Sequence, residues 1–201
     1  MAQREYSGDY LKRLPPEFYR GQACVHWSLT IEDRQTGWLM PIFYYKFREL
    51  LTHTMFRYGI CCPLFCLMPD HMHLLWLGIL DSADQRVAMK FLRGQLNSVL
   101  ETRHARLQDQ AYDHVLRDDE RLPAALQNVV EYIARNPERK ELVPLDAFRD
   151  YAYTGCLIPG YPDVKPFQSD FWDLFDRLVS KLRHQGLVQV QREDVDSRPG
   201  P

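Results

Sequence analysis

Apolar and polar residues alternate from residue 22 to residue 31 (QACVHWSLTI), the period of a half-buried strand. The period then lengthens. From Pro41 onward, Ile42, Tyr45, Leu50, Leu51, Thr54, Met55 and Tyr58 recur at helical spacing. Proline is tolerated at a first helical position, and Gly59 is a natural C-terminal cap. Residues 61–67 read as a second strand, Met68-Pro69-Asp70 as a turn, and residues 71–79 as the antiparallel partner. Leu74-Leu75-Trp76-Leu77 is apolar on both faces, which suits a central strand covered by helices.

Asp81-Ser82-Ala83-Asp84 caps a second helix over roughly residues 83–105. Val87, Phe91, Leu92, Leu96, Val99 and Leu100 form its expected buried stripe, opposite Arg86, Lys90 and Arg93. Residues 112–117 read as a strand. Asp118-Asp119-Glu120 open a third helix, with Leu126, Val129, Val130 and Ile133 apolar, ending at Asn136-Pro137 because the residue before proline leaves helical geometry. Residues 141–158 look mostly irregular and aromatic, and residues 170–185 form a last amphipathic helix. The order β-α-β-β-α-β-α predicts an α+β fold, a ferredoxin-like sandwich whose antiparallel sheet carries helices on one face, with an extra C-terminal helix. Residues 1–20 read as an N-terminal arm, 21–158 as the main domain, 159–189 as a helical extension and 190–201 as a disordered tail.

Composition narrows the class. The chain has 201 residues, 45% apolar and 26% charged, which suits one domain with an appendage. Neither a signal-peptide run nor a membrane-length apolar segment is apparent, so the expected location is the cytoplasm, with no membrane partner. The five cysteines show no C-x-x-C spacing, which argues against a zinc ribbon or a disulfide framework. A net charge of −2 argues against non-specific coating of nucleic acid but leaves room for local basic groups, among them Lys90, Arg93 and Arg135.

The chemistry concentrates at His71-Met72-His73. Side chains alternate along a strand, so both imidazoles point one way and Met72 the other. That pair is either a metal or phosphate site or two half-buried histidines at a hairpin end. His26 reads as a strand-face residue. Tyr132 and Asn136 are four apart and share a helical face. Two histidines and an amide oxygen leave open positions on a divalent ion, which can polarise a phosphodiester. Tyr132 is then open to two readings, a packing residue or a nucleophile that leaves a phosphotyrosine and a free 3′ hydroxyl.

These residues also carry a family resemblance. Met68-Pro69-Asp70-His71-Met72-His73-Leu74-Leu75-Trp76 resembles the histidine–hydrophobic–histidine (HUH) motif of single-tyrosine transposases. Asp113-His114-Val115-Leu116-Arg117-Asp118, followed by Glu131-Tyr132-Ile133-Ala134-Arg135-Asn136-Pro137, is similar to the REP-associated tyrosine transposases, as is Asp150-Tyr151-Ala152-Tyr153-Thr154-Gly155. The resemblance covers roughly residues 22–158. It implies an HUH-nuclease sheet, His71 and His73 as metal ligands with Asn136 as the third, and Tyr132 as the nucleophile. It further implies Mg²⁺ or Mn²⁺, a single-stranded DNA hairpin as partner, and strand cleavage and rejoining in DNA transposition. His114 and Arg117 match the group's pattern and are expected in a structural or DNA-backbone role. Glu141 stands where the group carries a glycine, which singles out the turn after Lys140. The chain is expected as a monomer or homodimer, and the alternative function is a hairpin DNA- or RNA-binding protein that does not cut.

Overall fold

The structure, a computed structural model, describes residues 13–162 and 164–187; the tail expected from residue 190 lies outside them. The strands are β1 (Cys24–Thr30), β2 (Ile60–Leu67), β3 (His71–Gly78), β4 (Tyr112–Val115) and β5 (Thr154–Leu157). The helices are α1 (Pro41–Tyr58), α2 (Gln85–Leu100), α3 (Pro123–Ala134), the single turn α4 (Asn136–Arg139) and α5 (Phe171–Gln185). The strands form one sheet in the order β4-β1-β3-β2-β5, antiparallel at every junction. The first four strands and the crossovers α1 and α2 give the ferredoxin-like arrangement; β5 extends it beyond β2. Thr154–Leu157 fell within a stretch expected to be irregular, and it becomes a strand because β2 offers it an open edge.

The helices cover both faces of the sheet rather than one. Val25, Trp27, Leu29, Phe65, Met72, Leu74 and Trp76 pack on one side with Phe47, Leu51 and Met55 of α1 and Leu92 and Leu96 of α2. On the other side, Val130, Ile133 and Ala134 of α3 pack against Leu64, Cys66 and Leu75. Phe171, Phe175, Leu178 and Val179 of α5 cover Cys61 and Cys156 on that same side. This explains why β2 is buried along its whole length and β3 is apolar on both faces from Leu74 to Trp76.

Local rules account for most boundaries. Gly59 ends α1 at φ 65°, and a Cβ there would meet the Leu80 side chain at 2.8 Å. Asp84 caps α2 by accepting hydrogen bonds from the amides of Arg86 and Val87, 3.1 Å each. The third helix begins later than expected, at Pro123, where proline suits the first turn. Within the helical stripes, Ile42, Tyr45 and Val87 are exposed, and Phe43, Phe47, Ala88 and Met89 take the core positions instead. Glu141 adopts a left-handed φ of 56°, so the turn after Lys140 keeps a glycine-like backbone without the glycine.

Part of the expected arm is packed. Pro16–Tyr19 forms a 3₁₀ turn, and Tyr19 is fully buried. The Tyr19 hydroxyl donates to the Asp113 carboxylate, which also pairs with Arg13 at 3.0 Å.

Candidate active site

β1 and β2 both present the register that frames the histidines. Ser28 on β1 stands opposite His73, and Cys66 on β2 stands opposite it on the other side. His71, His73 and Leu75 share one face of β3, the face covered by α3. The two imidazoles meet at right angles, with their Nε2 atoms 3.0 Å apart.

Each ring is fixed from behind. Asp70 Oδ1 lies 2.6 Å from His71 Nδ1, and Asp70 Oδ2 accepts from Arg34 at 2.9 Å. Burial pushes the Asp70 carboxyl up, but the bonds from Arg34 and His71 outweigh it and hold the group below the usual carboxylate range. A carboxylate only accepts, so His71 carries its proton on Nδ1 and turns a lone pair on Nε2 outward. His73 Nδ1 lies 3.0 Å from Ser28 Oγ and 3.1 Å from His26 Nε2. The His73 imidazole is pushed down to about 3, first by burial and then by His26, His71 and the cation of Arg139. His26 falls to about 4 through burial, with His114 adding to it. His73 and His26 are therefore neutral near pH 7, the state in which an imidazole accepts a cation.

The arrangement fits a bound metal. With Nδ1 of both rings contacted from behind, both Nε2 atoms turn to one point, where a cation would replace the proton that one of them carries in the 3.0 Å contact. Two nitrogen donors at about 2.1 Å from one ion and at right angles stand about 3.0 Å apart. Among the described residues, no cluster of three or more His, Cys, Asp and Glu side chains is assembled for a metal, so a third protein donor has to be of another type. The Asn136 amide is suited to that. Its Nδ2 donates to the carbonyls of Ile133 and Tyr132 (2.8 and 3.3 Å), leaving Oδ1 with one long contact, 3.4 Å from Arg139.

Tyr132 is 58% exposed, so it is not a packing residue of the core. The Arg139 guanidinium lies 4.1 Å over its ring and also donates to the Tyr132 carbonyl at 2.9 Å. Arg139 thus joins the tyrosine, the asparagine and the electrostatic surroundings of His73.

The structure redistributes the other basic candidates. Arg135 is bound by Glu131, Glu138 and Asp146 at 2.7, 2.8 and 3.2 Å and stacks over Phe148, so it braces α3 and α4 rather than waiting for a phosphate. Lys90 and Arg93 sit on α2, across the sheet from the histidines, and Arg93 is tied to the Gln108 carbonyl. They line an open cleft of about 540 Å³ with Arg13 and Arg86. His114 and Arg117 are linked through Glu120, which contacts His114 Nε2 at 2.9 Å and accepts from the Arg117 amide at 2.8 Å. That contact shapes the turn leading into α3. The contributions of His26, Ser28, Asp70 and Arg139 were not singled out from the sequence. Alternation along β1 puts Ser28 on a polar face; only the strand order shows that this face meets His73.

The depressed histidines make stability pH-dependent. Their folded values lie below the unfolded value of about 6.5, so the unfolded chain binds more protons as the pH falls through that range. Their contribution is complete above pH 6.5 and is lost from there down to about pH 4 for His26 and about pH 3 for His73, at up to about 1.4 kcal/mol per pH unit for each histidine. Urea midpoints at pH 7.5 and 5.0 check this, and His26→Gln is expected to flatten the dependence.

The class is therefore defined by its parts: a ferredoxin-like antiparallel sheet, a histidine pair on its central strand, and a tyrosine-bearing helix on the same face. Among solved structures, a REP-associated tyrosine transposase bound to a REP hairpin matches at TM-score 0.58 and 15% identity, covering 71% of this chain and 82% of its own. A proposed transposase of Deinococcus radiodurans matches at TM-score 0.41 and 15% identity, covering 61% of this chain and 98% of its own. No protein-family model matches the chain, and no curated protein matches it in sequence. What the chain shares with the first of these structures is its fold.

Proposed function

We propose that this chain is a single-tyrosine HUH-type transposase that cuts and rejoins single-stranded DNA at a hairpin-associated site. The observation that carries the reading is the pair of converging Nε2 atoms 3.0 Å apart, on the sheet face covered by α3, the helix that bears Tyr132. His71, His73 and the Asn136 amide oxygen would hold Mn²⁺ or Mg²⁺. The ion, when bound, supplies Lewis-acid polarisation of the scissile phosphodiester.

The chain's own groups supply the rest. The Tyr132 oxygen attacks phosphorus, and a Tyr–O–P bond forms as the P–O3′ bond breaks. The phenol proton leaves, and the departing oxygen gains a proton to become a 3′ hydroxyl. Attack by a 3′ hydroxyl on the phosphotyrosine reverses the step and rejoins the strand. Arg139 beside the ring offsets the phosphate charge. The fold shared with a hairpin-bound transposase supports a hairpin as the substrate class.

The test is incubation of the full chain with a labelled single-stranded hairpin oligonucleotide and Mn²⁺. The expected product survives SDS and maps by peptide mass to Tyr132. Stoichiometric hairpin binding that persists in EDTA, with no covalent product in Mn²⁺, supports the non-cutting alternative instead.

A further inference from the structure

Helices α1 and α2 lie on the side of the sheet away from the histidines. Where the start of α1 meets the end of α2, their outer face is apolar and open to water. Ile42 and Tyr45 stand there 63% and 68% exposed, and Met40, just before α1, is exposed as well. They edge a groove of about 290 Å³ whose far wall is Val99, Thr102 and Arg103, from the end of α2 and the turn after it. Ile42 and Tyr45 are three apart on α1, so they project together as a ridge beside the groove. Large apolar side chains gathered in one place and left in water mark an interaction surface.

The charges on the rim indicate what covers it. Glu49, on the α1 wall, is held by Lys46 at 2.9 Å. Arg103, on the α2 wall, donates to the Met40 sulfur at 3.0 Å and meets no carboxylate among the described residues; Glu101 beside it meets no cation there. Lys46 and Arg103 are thus matched by Glu49 and Glu101, and two identical patches do not repel each other. The other end of the same helical layer differs. There Arg13, Arg86, Lys90 and Arg93 line one cleft, and a second copy would be driven off. A ridge, a groove and both signs of charge on one patch are what a two-fold contact needs, since each copy offers the same surface to the other.

We propose that the chain self-associates through this groove as a two-fold dimer. The α1 wall of each copy meets the α2 wall of the other. Ile42 and Tyr45 pack on Val99 and Thr102, and Glu49 faces Arg103, once on each side of the axis. Both histidine sites remain on the outer sides of the two sheets. The contact uses one end of the helical layer, so the interface is small and reversible, with a dissociation constant in the micromolar range. The assignment does not depend on the strand-transfer reading.

The experiment is sedimentation equilibrium of the full chain across the micromolar range, without nucleic acid or metal. Wild type is expected to pass from monomer to dimer. Ile42→Ser/Tyr45→Ser removes the ridge and is expected to weaken association at least about 10-fold. Both side chains are exposed, and an unchanged thermal midpoint in dilute solution confirms the fold of this variant. Glu49→Arg and Arg103→Glu, each alone, set like charges against each other and are expected to weaken association by at least about 10-fold. Their equimolar mixture is expected to associate as wild type does, because both contacts of the mixed dimer then join unlike charges. That recovery separates contact between copies from damage within one. A chain that stays monomeric throughout overturns the proposal. So does a dimer unmoved by Ile42→Ser/Tyr45→Ser, or a mixture of the two charge variants that associates no better than either alone.

Discussion

Tyr132→Phe is expected to abolish the covalent hairpin adduct, lowering its rate by more than about 10³-fold, because it deletes the attacking atom and nothing else. The exposure of Tyr132 decides what accompanies that loss. At 58% exposed, the side chain contributes little to the core, and phenylalanine keeps the ring that Arg139 covers at 4.1 Å. Unfolding free energy is therefore expected to stay within about 0.5 kcal/mol of wild type. Hairpin affinity in EDTA is expected to change less than twofold. Rate, stability and affinity measured together separate a lost nucleophile from a damaged site. An adduct that forms at an undiminished rate in Tyr132→Phe would move the nucleophile elsewhere and sink the mechanism.

The reach of sequence reasoning follows the range of the forces involved. His71 and His73 share a face because alternation along one strand is local, and the same holds for Tyr132 and Asn136 within a helical turn. The strand order β4-β1-β3-β2 followed from the alternation of elements, since crossovers obey few topologies. What escaped depends on neighbours far along the chain. Ser28 and His26 become His73's partners only when β1 pairs with β3 across 45 and 47 residues. Arg135 and Arg139 look alike in sequence; three carboxylates, one of them Asp146 from beyond the helix, tie up the first and leave the second over Tyr132. The exposed Ile42 and Tyr45 match a helical period but face away from the sheet, because α1 is anchored through Phe43 and Phe47. Both faces of the sheet are covered because α3 and α5 return across it, and the apolar run Leu74-Leu75-Trp76-Leu77 carried that information. Glu141 shows the reverse case: a glycine signal is missing, yet the backbone reaches φ 56° because the surrounding turn imposes it.

His73→Ala is expected to remove both the Mn²⁺ dependence of thermal stability and the adduct, and Asp70→Asn to weaken metal binding by about 10- to 100-fold while leaving the fold intact. The two substitutions act at different distances from the ion. His73 supplies one of the two Nε2 atoms that stand 3.0 Å apart, and a single remaining imidazole does not hold a divalent ion against water. Asp70 touches no ion; it fixes the His71 tautomer through the 2.6 Å contact to Nδ1 and is itself fixed by Arg34. An asparagine amide preserves the shape but loses the charge that makes His71 a stronger donor. A ligand at one hundred times its dissociation constant adds about 2.7 kcal/mol to a folded protein that binds it. Thermal midpoints with Mn²⁺ and with EDTA therefore read the site directly: a clear gap for wild type, a reduced gap for Asp70→Asn recovered at higher Mn²⁺, and no gap for His73→Ala. The comparison of each variant with its own EDTA control matters, because removing a buried imidazole lowers stability by itself. A wild-type protein whose midpoint and adduct yield are the same in Mn²⁺ and in EDTA would overturn the assignment of the histidine pair as metal ligands.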